Sequence, residues 1–246
     1  LIPQILLCGL VVKFPDLTPR STTANVPIVG DMIPSRWSFE ALAVTSFTDN
    51  TYECNFFEYD KERYQAEYYE QAYLRELKSQ LENMKRKGAE GESVEDNLKV
   101  LKCSTPLLLR ECGWDAYQGD YSYESLKELY EKVGDELYAR SRSASKAMDT
   151  RMKQMLAQHG SEKVMQLKRD NHNLNLESLL ADNDAEQICK VVDGRIVPEA
   201  GFVYVDPVTH NGRAPFFSSV KIVGSCRIKT LWYNLGIILL MSILFT

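Results

Sequence analysis

The sequence predicts a mainly α protein, a small helical bundle with a minor β element, flanked by two truncated transmembrane helices. Three observations carry this expectation. Apolar residues recur every three or four positions through two long stretches, 60–87 and 122–160. β-Branched residues flank an Asp193-Gly194 turn, a hairpin signal. The runs at either end, 1–12 (LIPQILLCGLVV) and 231–246 (LWYNLGIILLMSILFT), carry no charge.

A chain of 246 residues, 44% hydrophobic and 26% charged, is long enough for one or two domains with a real core. Its net charge of −5 argues against a nucleic-acid binder, which needs a basic face. A spanning helix needs about 20 apolar residues, with a lower limit of about 17. Both terminal runs are cut off by a chain end, so they are expected to be the inner parts of two spans. A buried core helix at each end is the alternative. The first run lacks the basic leader of a signal peptide, and Lys13 follows it. Two spans would place both ends of the intervening loop in one compartment. Lys13, Arg227 and Lys229 flank the spans on the loop side, but the positive-inside rule is weak for a loop longer than about 60 residues.

Residues 15–35 read as a linker, with Pro15, Pro19, Pro27, Pro34 and Gly30. A short helix follows, with Ser35 as its expected N-cap. Positions 37, 39, 41, 42, 43, 44 and 47 are apolar around most of its circumference, and Arg36 and Glu40 stand one turn apart, able to pair. Such a helix is either buried in a core or lies in a membrane interface, where Trp37 suits the headgroup level. Next comes a long amphipathic helix, Asp60 to Lys87, in which Ala66, Tyr69, Tyr73, Leu77, Leu81 and Met84 form the apolar stripe and Gly88 the stop. Its tyrosines at 59, 64, 68, 69 and 73 resemble a stacking platform for sugars or bases. Alternation with acids at helical spacing favours packing residues with wet tips instead.

Ser93 with Asp96 suggests a capping box for a helix that Pro106 should end or kink. A second long helix begins near Ser122. Leu126, Tyr130, Val133, Leu137, Ser141, Ala144, Met148, Met152 and Met155 form a near-heptad seam, and Gly160 ends it. Shorter helices are expected around 161–170 and 175–182, and a β element near 188–206.

Catalytic and metal motifs are missing. Nothing matches the P-loop, the G-x-S-x-G elbow or H-E-x-x-H. His159, His172 and His210 have no metal spacing and read as surface residues. The cysteines at 8, 54, 103, 112, 189 and 226 form no C-x-x-C. Cys103 with Cys112, or Cys54 with Cys189 or Cys226, are pairings the spacing allows, beside unpaired buried thiols. No catalytic, cofactor-binding or metal-ligating residue is assigned.

The run NVPIVGDMIPSRWSFEALAVTSFTDNTYECNFFEYDK (25–61) resembles the segment after the fifth membrane helix in the permease of G-subfamily ATP-binding-cassette exporters. The likeness is to the large Bacteroidetes-like bacterial versions, in which ATPase and permease are fused. Ser35, Arg36, Trp37, Phe39, Glu40, Ala41 and Leu42 carry it. TLWYNLGIILLMSILF (230–245) resembles the start of the sixth helix, through Trp232, Asn234 and Leu235. The likeness covers about 25–60 and 215–246 and is silent over the helical middle.

The resemblance implies the end of a transmembrane helix (1–14), a linker (15–35), an interfacial or re-entrant helix (36–48), a helical extracytoplasmic insertion (49–185), a mixed α/β return (186–230) and the start of a transmembrane helix (231–246). It implies an inner-membrane protein with residues 15–230 mostly periplasmic, acting in translocation as an outer gate, lid or docking surface. The segment itself is expected to be no enzyme and to hold no cofactor, with ATP and Mg²⁺ on a nucleotide-binding domain outside it. Expected partners are the lipid bilayer, a second permease half and that ATP-binding domain, not nucleic acid. Arg36 and Glu40 are expected to clamp the short helix at the headgroup boundary. The alternatives are a membrane-tethered sensor or scaffold and a membrane-anchored hydrolase using unrecognised carboxylates.

Overall fold

A computed structural model describes residues 9, 14, 21–87, 92–181 and 187–244. The chain is mainly helical, 66% helix against 9% strand, so helices supply the scaffold and two small antiparallel sheets decorate it.

A short turn of helix, α1 (Ile28–Asp31), leads into α2 (Pro34–Thr48). The expected N-cap at Ser35 is displaced: Pro34 takes the first helical position, where its missing N–H costs nothing, and Ile33 caps. After a 3₁₀ turn at Glu53–Asn55, one long helical rod runs from Phe57 to Lys87. It comprises α3 (Phe57–Glu67), a π-helical turn (Tyr68–Tyr73) and α4 (Leu74–Lys87). Its expected stop at Gly88 lies outside the described residues, as does the side chain of the proposed capping residue Ser93.

α5 (Glu92–Glu111) passes through Pro106 without stopping, contrary to expectation. The helix survives because Leu101, Leu108 and Leu109, on both sides of the proline, are buried in one core. That packing outweighs a lost backbone bond. α6 (Tyr123–His159), 37 residues long, starts where Ser122 accepts the Ser125 N–H on its hydroxyl. It stops at Gly160, whose φ of 77° suits a residue without Cβ. The rod and α6 are antiparallel. Arg151 reaches Asn55, Arg140 reaches Glu62, and Tyr123 reaches Glu82, so position rises on one helix as it falls on the other.

Leu74, Leu77 and Leu81 of α4 meet Leu101 and Leu108 of α5 and Leu126, Tyr130, Val133 and Leu137 of α6 in the first core. The predicted seam is therefore buried in its first half. In its second half Met155 joins Tyr52, Phe56 and Val164 in a small satellite. α7 (Ser161–Asn171) and α8 (Leu174–Ala181) follow.

The β element is two hairpins rather than one. β1 (Cys189–Val192) pairs with β2 (Arg195–Pro198) about Asp193-Gly194, both with positive φ as a tight primed turn requires. β3 (Val220–Val223) pairs with β4 (Cys226–Lys229), which runs directly into α9 (Thr230–Leu244). A second core joins α2, α3 and α8 to the segment between the hairpins through Val44, Phe47, Phe57, Val203, Tyr204 and Phe217.

Among the described residues no helix is long and apolar enough to cross a membrane. α9 has 15 residues, and most of 1–14, with Cys8, lies outside the described set. Cys54, Cys103, Cys112, Cys189 and Cys226 are free thiols, so the pairings that spacing allowed do not form.

Candidate functional site

The residues singled out by the resemblance converge on one buried charge cluster. Along α2, Arg36 and Glu40 fall on the same face, turned toward α9 and β3. Glu40 is fully buried, and Arg36 and Lys221 of β3 are each 1% exposed. Glu40 Oε1 accepts from Lys221 Nζ at 2.6 Å and from the Phe217 backbone N–H at 3.1 Å. Its other oxygen accepts from Asn234 Nδ2 of α9 at 2.9 Å, and the same amide donates to the Trp37 carbonyl at 3.0 Å. Asn234 therefore rivets α9 to α2 at two points.

The Arg36–Glu40 contact exists but is long, 3.6 Å. Arg36 Nη2 lies 3.2 Å from Asp31 Oδ1, and its guanidinium sits 3.7 Å from the Trp37 ring centroid. The pair expected from helical spacing forms, as the longest of Glu40's polar contacts. Glu40 is an internal hub with Lys221 and Asn234 as its main partners, and Trp37 is buried with its indole N–H on the Asp31 carbonyl.

Burial opposes the charge on Glu40, but Lys221, Arg36 and the donors from Lys221 and Asn234 outweigh it and hold the carboxyl below its ordinary value. Asp31 goes the other way. Its partial burial raises it against the pull of Arg36, Arg213 and Lys221. Lys221 is pushed down by burial and by Arg36, with Glu40 opposing. Both Glu40 oxygens are engaged by donors, which suits a structural ion cluster.

The remaining motif residues split by side. Phe39 packs against Phe216 and Phe217, Ala41 is buried and Ser35 half-buried. Leu42 is 67% exposed and Trp232 is 66% exposed. With Leu235, Leu239, Leu240 and Ile243, Trp232 leaves much of α9 apolar and uncovered, and α2 packs along that helix. Ile28, Val29 and Met32, at the entry to α2, are exposed as well.

Sequence reasoning missed Lys221 and Asp31. The signal for Lys221 was there: a lone lysine in the apolar run VKIV needs a partner if the strand packs inward. The histidine reading also changes at one position. His172 is partly buried, with Nδ1 2.6 Å from Glu53 Oε1 and Nε2 3.6 Å from Glu177, while His159 is exposed. The two carboxylates take opposite ring nitrogens, so the three cannot share one ion. Among the described residues no His/Cys/Asp/Glu group could hold a metal.

The tyrosines form no open platform. Tyr68 and Tyr73 are buried, and Tyr68, Tyr69 and Tyr73 meet edge to face. Carboxylates do gather in one concavity, where Glu70, Glu131 and Asp135 line a groove. Arg75 and Lys78 line it too.

No family model, curated protein or solved structure matches this chain.

Proposed function

We propose that this chain is the extracytoplasmic loop and flanking apolar segments of an ATP-binding-cassette exporter permease, with its helical insertion acting as an outer gate, lid or docking surface. One observation supports the reading above the others. The two segments that carry the resemblance, separated by more than 150 residues that do not, are joined through Asn234 and Glu40. An accidental likeness at two distant places has no reason to be fastened together by its own signature residues.

The exposed apolar residues on α2 and α9 fit the same reading, because a lipid surface would cover Leu42, Trp232, Leu239 and Ile243. In this reading the charge cluster sets the angle between the re-entrant helix and the start of the sixth span. The long rod and α6 then project outward as the insertion. ATP and Mg²⁺ belong to a nucleotide-binding domain outside the chain, and a second permease half completes the path.

The test is the reading frame on either side of Leu1 and Thr246. A P-loop, an exporter signature and four or five apolar spans upstream support the proposal. A signalling domain after the last apolar run, with no ATPase in the operon, overturns it in favour of a tethered sensor.

A further inference from the structure

A cavity of about 280 Å³ lies where the last turn of α2, the start of α3, β3 and the first turn of α9 meet. Buried Val44 and Phe57, with Leu231, give it apolar walls, while Ser219 adds a hydroxyl. Its volume sits near the lower end of ligand sites, about 300–1,000 Å³, so it suits a molecule smaller than a drug.

The polar chemistry is specific. Ser219 Oγ accepts a hydrogen bond from Lys61 Nζ at 3.0 Å, and Lys61 is itself buried and paired with Asp206 at 2.7 Å. An ammonium donating into a hydroxyl oxygen polarises it and strengthens the remaining O–H as a donor. No acceptor in the described protein takes that proton. At the rim, Lys229 is neutralised by Asp49, with Nζ–O distances of 3.0 and 3.1 Å. Both lysines are thus spent on carboxylates. Glu58, exposed on the lining and in no ion pair among the described residues, repels anions.

We propose that this cavity binds a small uncharged amphiphile carrying a hydrogen-bond acceptor, such as a short-chain ketone, ester or alcohol. The acceptor takes the Ser219 hydroxyl proton, and the chain lies against Val44, Phe57 and Leu231. The site does not depend on the transport reading, since every wall belongs to the chain itself.

Cys54, exposed on the lining, supplies the readout, and Cys226, exposed away from the cavity, is the internal reference. The full chain is alkylated with N-ethylmaleimide alongside 2-hexanone, hexanoate or hexylammonium, and modification at each cysteine is followed by peptide mass spectrometry. The ketone should slow Cys54 severalfold and saturably while leaving Cys226 unchanged. Ser219→Ala should raise the half-saturating ketone concentration about tenfold, the upper end for one neutral hydrogen bond. Thr45→Trp, which fills the space from its half-exposed wall, should abolish protection and keeps the test decisive if Ser219→Ala does not fold. Absence of protection, equal slowing at Cys226, protection undiminished in Thr45→Trp, or stronger protection by either charged probe overturns the proposal.

Discussion

Glu40→Gln keeps the shape of the side chain and removes only its charge, which isolates what the cluster at α2, β3 and α9 is worth. In the folded chain that carboxylate compensates Lys221 at 2.6 Å and Arg36 at 3.6 Å, both nearly inaccessible to water. Glutamine presents one oxygen and one NH₂ where four donors converge, so at least one donor is left facing another. Removing one partner of a buried ion pair costs about 3–5 kcal/mol. Against a total stability of roughly 5–15 kcal/mol, that is a large fraction. With a urea slope of about 1–3 kcal/mol per molar, the midpoint should fall by more than about 1 M. Trp37, buried beside the cluster, reports the transition by fluorescence. Lys221→Met alone should cost a similar amount, because it leaves the carboxylate short of a cation. The double variant should recover part of the loss, with a coupling of about 0.5–3 kcal/mol. A Glu40→Gln chain within about 1 kcal/mol of the parent, or a double variant as unstable as the sum of the singles, would refute the account of Glu40 as the hub.

The acid side of the stability curve gives a second check. Glu40 is held below its ordinary value of 4.5, so its contribution is complete above that pH and lost as pH falls through the lower folded value. The parent should therefore lose stability below pH 4.5 more steeply than Glu40→Gln does. Alkylation at pH 8 should modify Cys54 and Cys226 quickly and spare the half-buried Cys112 and Cys189, whose thiols desolvation pushes up to about 11; fast reaction at either of these two contradicts the packing. Pro106→Ala restores an N–H inside α5 and should raise stability by about 1–3 kcal/mol in urea, whereas a lower midpoint would mean that the proline ring's own packing is needed. In vesicle flotation, Trp232→Ser with Leu239→Ser should cut the floated fraction severalfold, and equal flotation of variant and parent would remove lipid as the cover for α9.

The scaffold was legible where periodicity was long. α6 begins and ends within a residue of Ser122 and Gly160 because cap chemistry and a sustained apolar seam agree. The hairpin at Asp193-Gly194 was legible for the same local reason, and the second, around Gly224, was hidden by the apolar runs beside it. Pro106 misled because a local rule lost to the burial of Leu101, Leu108 and Leu109 around it. At the site, Arg36, Glu40 and Asn234 were marked in advance, but their geometry was not. The partner that matters most to Glu40 is Lys221, 181 residues away, and no local pattern encodes so distant a meeting.

The π turn at Tyr68–Tyr73 has a consequence for how this chain tolerates change. A regular helix rotates its side chains by about 100° per residue, so one residue added within a turn re-aims everything beyond it by that angle. Upstream, Phe57 and Tyr64 stack on Tyr204; downstream, Leu74, Leu77 and Leu81 fill the bundle core. The widened turn absorbs one extra residue, so that both faces keep their aim. Deleting one residue from it would close the turn to a regular α-helix with both faces still aimed at their cores, whereas deleting one from α3 or α4 would turn a face away by about 100°. The number of residues in the rod is therefore as much a part of its message as their identity.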